Sequence, residues 1–210
     1  MSDAVSKDGS PVDVYAALPA EPELSVVRAH LKGRMRVLDL GCGTGRIADP
    51  LVENGHDVVA VDESEQMVRR VQHAHAVQSP IEELNVGRSF DAVLLLSHLV
   101  NAATAPAFLD AAARHLAEGG ILLAQRLEPG RQWLPGSMQV GPVTVALVDL
   151  LVDGDRILGT TRYSLGDRSW DQRWELWERS DEQIATLLNQ AGLRLLSADG
   201  VWITATQSCD

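Results

Sequence analysis

Cysteine is scarce in this chain. It occurs only at Cys42, inside a glycine-rich turn, and at Cys209, beside the C-terminus. Two such positions build no disulfide framework and fit a reducing compartment. Long apolar runs are missing too: none approaches the roughly 20 residues of a membrane span. The polar start, MSDAVSKDGS, has no apolar core of a signal peptide. The expectation is a soluble, cytoplasmic protein without a membrane partner. Basic clusters are absent: 18 Lys and Arg face 29 Asp and Glu, a net charge of −11. That argues against a nucleic-acid partner, because sequence-independent affinity for phosphate backbones comes from clustered Lys and Arg. No paired His/Cys spacing of the zinc kind and no clear carboxylate cluster stand out, so no metal is expected.

What is present centres on RVLDLGCGTG, Arg36 to Gly45. Val37, Leu38 and Leu40 form an apolar run long enough for one buried strand and too short for a core helix. It breaks at Gly41, Gly43 and Gly45, where side chains would keep the backbone from a close ligand and positive φ is free of strain. A following helix would aim unpaired N–H groups at the same spot. Strand, glycine turn and helix N-terminus make a ligand cradle at the carboxyl end of a parallel sheet. A G-x-G-x-x-G dinucleotide fingerprint needs glycine at 46, where Arg46 stands, which disfavours a nicotinamide oxidoreductase. The pattern D-L-G-x-G-x-G, with Asp62 closing the next strand (DVVAVD, Asp57 to Asp62), resembles motifs I and II of the class I S-adenosylmethionine (SAM)-dependent methyltransferases.

The resemblance implies SAM as cofactor and S-adenosylhomocysteine (SAH) as product, with Asp39, Gly41, Cys42, Gly43 and Gly45 around the amino-acid part. Asp62, with Glu63 beside it, would grip the ribose; as an alternative, Asp62 caps a helix over Ser64 to Ala74. Met67 on that helix is either an adenine contact or core. Where the family commonly has an acidic residue on the adenine amino group, this chain has Pro80. The adenine edge would then fall to Ser79, Ile81 and Glu82.

Earlier in the chain, Met1 to Ser10 read as disordered. Val12 to Leu18 and Pro22 to Leu31 read as helices, placing Tyr15 either near the transferred methyl or in ordinary packing. Ile47 to Asn54 reads as a helix kinked by Pro50, and Ala76 to Gln78 as a third strand. Phe90 to Ser97 is near-continuously apolar, hence a buried central strand. Ser97 and His98 leave its carboxyl end, where open α/β sheets bind ligands. His98 is either catalytic or substrate-orienting, or the holder of a structural hydrogen bond; the other histidines, His115 among them, read as solvated. Asn101 follows as a candidate acceptor contact, then a helix over Ala105 to Ala117 and a strand over Ile121 to Leu127.

Glu128 to Pro142 reads as a loop, serving as a lid. Val143 to Val152, Arg156 to Ser164 and Trp170 to Glu178 then form an antiparallel meander separated by turn signals. Asp181 to Ala191 is a helix, and Leu193 to Thr206 closes the sheet with a bend at Asp199-Gly200. The expected fold is α/β: a three-layer α/β/α Rossmann-like sheet with N-terminal helices and an antiparallel insertion before the last helix. One domain is expected, with 1–34 as tail and cap helices, 35–128 as cofactor core, 129–180 as acceptor cover and 181–210 as final helix and strand.

The insertion is similar to that of small-molecule N-methyltransferases, including glycine and amino-sugar types. Arg126, Trp133, Tyr163, Arg173 and Trp174 are candidate acceptor contacts, each with an alternative in packing or surface pairing. Aromatics are only 4% of residues, so three tryptophans between 170 and 177 point to a flat or ring-bearing acceptor. The implied activity is N- or O-methylation of a small molecule by a monomer or homodimer, with Tyr15 and His98 at the reacting atoms. A SAM-binding regulatory protein without turnover is the alternative. Neither an N-P-P-Y-type tetrapeptide nor a Pro-Cys nucleophile motif of nucleic-acid methyltransferases occurs.

Overall fold

The structure, a computed structural model, describes residues 4–208. Cys209 and residues 1–3 of the segment read as disordered lie outside them. The chain opens with helices α1 (Val12–Ala17) and α2 (Glu23–His30), then β1 (Arg36–Leu40), α3 (Ala48–Glu53), β2 (Asp57–Asp62), α4 (Glu65–Val68), β3 (His75–Gln78) and β4 (Phe90–Leu95). A 3-10 turn over Leu99–Asn101 leads to α5 (Ala105–His115) and β5 (Leu116–Gln125). After β6 (Gly136–Val140), β7 (Val143–Asp153), β8 (Arg156–Leu165) and β9 (Arg168–Trp177), the chain ends with α6 (Asp181–Gln190), β10 (Leu193–Asp199) and β11 (Trp202–Gln207).

Seven strands form the main sheet in the order β10-β11-β5-β4-β1-β2-β3. It is parallel from β5 to β3, while β11 runs antiparallel to β5 and β10. Alternation sends Leu38, Leu40, Val93 and Leu95 to one face, against Leu109 of α5 and Ile184 and Leu188 of α6. Val37, Ala92 and Leu94 go to the other, against Leu24 and Val27 of α2 and Leu51 of α3. Both faces of β1 and β4 are covered, which explains their unbroken apolar reading. Strands β6 to β9 make a separate antiparallel sheet. No described helix is long and apolar enough to cross a membrane.

Several expectations need correction. Residues 4–10 are not disordered: Val5 bridges Pro11, and the turn is closed by the Asp8 carboxylate accepting from the Ser10 N–H at 3.0 Å. Pro50 makes no kink, because α3 begins at Ala48 and the missing N–H falls in the first turn, where it has no intrahelical partner to lose. Helix α4 stops at Val68 rather than Ala74, since the N–H groups of Gln72, His73 and Ala74 all donate to Asp49 at 2.8–3.0 Å. The lid loop contains strand β6. His115 is buried, with Nδ1 on the Ala111 carbonyl and Nε2 accepting from the Val86 N–H.

Candidate functional site

The turn after β1 depends on glycine for two different reasons. Gly41, Gly43 and Gly45 have φ of 73°, 56° and 83°, the left-handed region. At Gly41 a Cβ would also stand 2.7 Å from Leu99 Cδ1, and at Gly45 2.9 Å from Asp49 Oδ2 and 3.3 Å from the Val71 Cα. At Gly43 a Cβ would meet only Tyr15 Cδ1, at 3.9 Å, so there the backbone angle alone is decisive. The N–H groups of Gly41 and Cys42 both donate to the Val61 carbonyl at 2.8 Å, which docks the turn on β2.

Asp62 ends β2 against this turn. Its Oδ2 accepts from the Gly43 N–H and its Oδ1 from the Ser64 N–H, both at 2.9 Å. The cap of α4 is Ser64, whose hydroxyl accepts from Met67 at 3.4 Å, and not Asp62. Burial raises the pKa of Asp62 above the ordinary carboxylate value, against the pull of those two N–H donors. One strand away, Asp39 is only 2% exposed, and burial pushes its carboxyl up to about 7, opposed by Arg46 and reinforced by Asp62. The Cys42 thiol is held well above its usual range, first by burial and then by Asp39. Arg46, the residue that spoils the dinucleotide pattern, donates to the Pro19 carbonyl at 2.8 Å and pairs with Glu23 at 3.2 Å, tying the turn to the helices above.

Of the residues expected at the adenine, Met67 and Ile81 are buried, and Ile81 lies beside Gly41. The Ser79 N–H donates to the Asp62 carbonyl at 3.0 Å, while its hydroxyl donates to the Pro80 carbonyl at 2.9 Å. Glu63 and Glu82 are exposed; Glu63 pairs with Lys7 at 3.5 Å, and the carbonyl of Glu82 receives Arg114.

Beyond β4, Ser97 and His98 both take positive φ, 53° and 62°. Two successive non-glycine residues there store of order 1–3 kcal/mol each. The Ser97 N–H is held by Gln125 Oε1 at 3.0 Å. His98 Nδ1 is buried without a hydrogen-bond partner. Burial lowers its pKa below 6.5, opposed by the nearby Arg126 carbonyl, while the positive charge of Arg131 lowers it further. Asn101 is not placed as an acceptor contact. It is 1% exposed, its Nδ2 donates to the Trp177 carbonyl at 2.7 Å, and its Oδ1 accepts from the Leu127 N–H at 2.8 Å. Arg126 is likewise internal: it binds the Gly200 carbonyl at 3.0 Å and Asp181, joining the last hairpin to α6.

One face of the antiparallel sheet packs against the N-terminal segment. Tyr163 lies 6.2 Å from Tyr15, centroid to centroid, and burial raises the phenol of each. Tyr15 Oη donates to Gln172 Oε1 at 3.5 Å, and Gln172 Nε2 donates to Ser10 Oγ at 2.8 Å and Asp8 Oδ2 at 3.3 Å. Trp174 lies over Gly159, where a Cβ would sit 2.1 Å from the indole, and its N–H donates to Thr161 Oγ1 at 2.8 Å. Trp133 packs 5.7 Å from Trp174. Arg173 is on the opposite, exposed face of β9 with Asp171 and Glu175, so the structure separates it from Trp174. Asp13 of α1 binds Arg70 at 2.6 Å and Arg168 of β9 at 2.9 Å. Its carboxyl is held below the usual range, chiefly by the Arg168 hydrogen bond.

Sequence reasoning missed Asp8, Ser10, Asp13 and Gln172, which join the N-terminal segment to β9. The signal for Gln172 was its place between Trp170 and Trp174 on one face of β9; the other three carry no motif. No cluster of His, Cys, Asp and Glu among the described residues is arranged to hold a metal.

A family profile described as a methyltransferase domain matches residues 37–120. Ubiquinone biosynthesis O-methyltransferase of Nitrobacter winogradskyi is 30% identical over 107 residues, 47% of this chain and 40% of that protein. Its namesake in Xanthomonas oryzae pv. oryzae is 32% identical over 131 residues, 57% and 54% of the two chains. The chain thus spans about half the length of the curated relatives it matches. Two solved structures share the fold from end to end. The sugar N-methyltransferase KedS8 of Streptoalloteichus sp. superposes with a TM-score of 0.72 at 24% identity, over 100% of this chain and 98% of that one. The CcbJ methyltransferase of Streptomyces caelestis gives 0.78 at 19% identity, over 99% and 100%.

Proposed function

We propose that the chain is a class I SAM-dependent methyltransferase and that it transfers the methyl group of SAM to a nitrogen or oxygen of a small-molecule acceptor. The observation that carries this reading is the cradle: three left-handed glycines closed by Asp62 through the Gly43 N–H, with buried Asp39 behind them. The O-methyltransferase relatives and the sugar N-methyltransferase structure support one acceptor atom each, so the element is left as nitrogen or oxygen. We read the chain as a single catalytic domain, with 1–34 and 129–180 covering the core.

SAM bound in the cradle would supply an electrophilic methyl on a sulfonium. The chain's own part is alignment and solvent exclusion, and proximity of this kind is worth roughly 7–11 kcal/mol. The ribose hydroxyls would be held by Asp62 and the amino-acid part by the glycine turn near Asp39. The adenine would lie against Met67 and Ile81, with Ser79 at its edge. Tyr15 and Tyr163 wall the reacting atoms from water. His98, neutral at pH 7 because burial lowers its pKa, has an unpartnered Nδ1 able to take a proton from a hydroxyl acceptor. An amine that is already neutral needs only orientation.

Calorimetric titration with SAM and with SAH tests the reading, followed by SAH production from a pool of amines and phenols. Asp62→Ala is expected to weaken SAM by about 100-fold, the loss of two hydrogen bonds to a charged group. Unchanged affinity in folded protein would refute the ribose assignment.

A further inference from the structure

Among the described residues, two buried side-chain nitrogens have no hydrogen-bond partner: His98 Nδ1 and Trp133 Nε1. The first belongs to the proposed reaction. The second sits on the lid between β5 and β6, where an orphaned indole N–H is an anomaly, since Trp buries its ring with the N–H satisfied. Trp174, its neighbour, follows that rule through Thr161.

Arg131 is the second feature. Its guanidinium lies 4.9 Å from the Trp133 ring centroid and near enough to His98 to depress its protonation. Most arginines of this acidic chain are committed, for example Arg36 to Asp91, Arg88 to Asp57 and Arg162 to Asp171. Arg131 has no ion pair and no side-chain hydrogen bond among the described residues. On the same loop the Gly130 N–H donates to Glu178 Oε1 at 3.0 Å. A cation without an ion pair and an N–H donor without a partner therefore lie on one strap of the loop, beside Trp174.

We propose that Arg131 and Trp133 form the acceptor's recognition site and that they read an anionic oxygen group, a carboxylate or a phosphate, on a ring-bearing small molecule. The guanidinium supplies charge, the indole N–H supplies direction, and the paired Trp133 and Trp174 rings supply the apolar wall for the acceptor's ring. Charge-assisted hydrogen bonds are the strongest a site of this kind makes. The assignment rests on the methyltransferase reading of the same site.

The test is calorimetric titration of the full chain with benzoate, phenyl phosphate and the neutral isostere benzamide, each with and without saturating SAH. Binding of SAH, measured first and separately, decides the methyltransferase reading. Wild-type protein is expected to bind benzoate or phenyl phosphate at least tenfold more tightly than benzamide. Arg131→Gln, on an exposed residue that folding does not need, should erase that preference and leave benzamide and SAH unchanged. Trp133→Phe should lower anion affinity about tenfold while keeping the ring. A preference for phosphate over carboxylate, or the reverse, identifies the source of the anion. Equal binding of benzamide, no binding of any probe, or an anion preference that survives in Arg131→Gln would overturn the proposal.

Discussion

Replacing Asp39 with asparagine sets folding stability against cofactor binding in a way that can be worked through. Burial moves its carboxyl from the ordinary 3.8 to about 7. The folded protein thus keeps this proton to higher pH than the unfolded chain. The stability it contributes is complete below pH 3.8 and lost as pH rises through about 7. At ~1.4 kcal/mol per pH unit, ionised Asp39 opposes folding by about 4 kcal/mol above pH 7, of which about 2.5 kcal/mol is lost between pH 5 and pH 8. Asparagine fills the same volume and does not titrate. The stability of Asp39→Asn minus that of wild type should grow by about 2.5 kcal/mol over that interval, read from urea denaturation at pH 5, 6, 7 and 8. A cationic ligand such as SAM would favour the carboxylate and return part of the loss in wild type alone, so the variant should also bind SAM more weakly. Parallel stability curves would refute the reasoning, because they would mean that Asp39 titrates alike in the folded and unfolded chain.

Two further outcomes follow from the same geometry. His98→Gln should lower turnover of a hydroxyl acceptor by about 10²–10⁴-fold with SAM affinity unchanged, and the wild-type rate should fall on the acid side only below pH 6.5, since burial depresses the imidazole; an acid limb above that value would contradict the burial. Gly159→Ala puts a Cβ into the Trp174 indole and should break its bond to Thr161. The acceptor KM would then rise at constant SAH affinity, which steady-state kinetics and calorimetry separate.

The cofactor half was legible because its signals are local. A strand, its glycine turn and the next strand's terminal Asp62 lie within 27 residues, Arg36 to Asp62, and near-continuous apolar runs mark the strands buried on both faces. What escaped depends on distant partners. The length of α4 is set by Asp49 of α3 capturing the N–H groups of Gln72 to Ala74. The N-terminal turn is ordered by Gln172, more than 160 residues away in sequence. Asn101 and Arg126 looked like polar residues at a sheet exit facing a ligand; they turned inward because the main chain of β9, β5 and the last hairpin offered partners. Arg173 is a different kind of error. Strand alternation already put it on the face opposite Trp174, so the two never shared a wall.

The single carboxylate of Asp13 has one oxygen on Arg70, after α4, and the other on Arg168, at the start of β9. Helix α1 is thereby riveted to the segment after α4 and to the antiparallel sheet through the same functional group. It cannot lift from either without giving up one half of a shared ion triplet, and Arg70 is nearly half exposed, so dissolved salt reaches that triplet. Because the Asp13 carboxyl stays ionised below the ordinary range, ionic strength rather than pH is the variable that loosens it near neutrality. A salt series would therefore slacken both anchorages of α1 at once rather than one independently of the other.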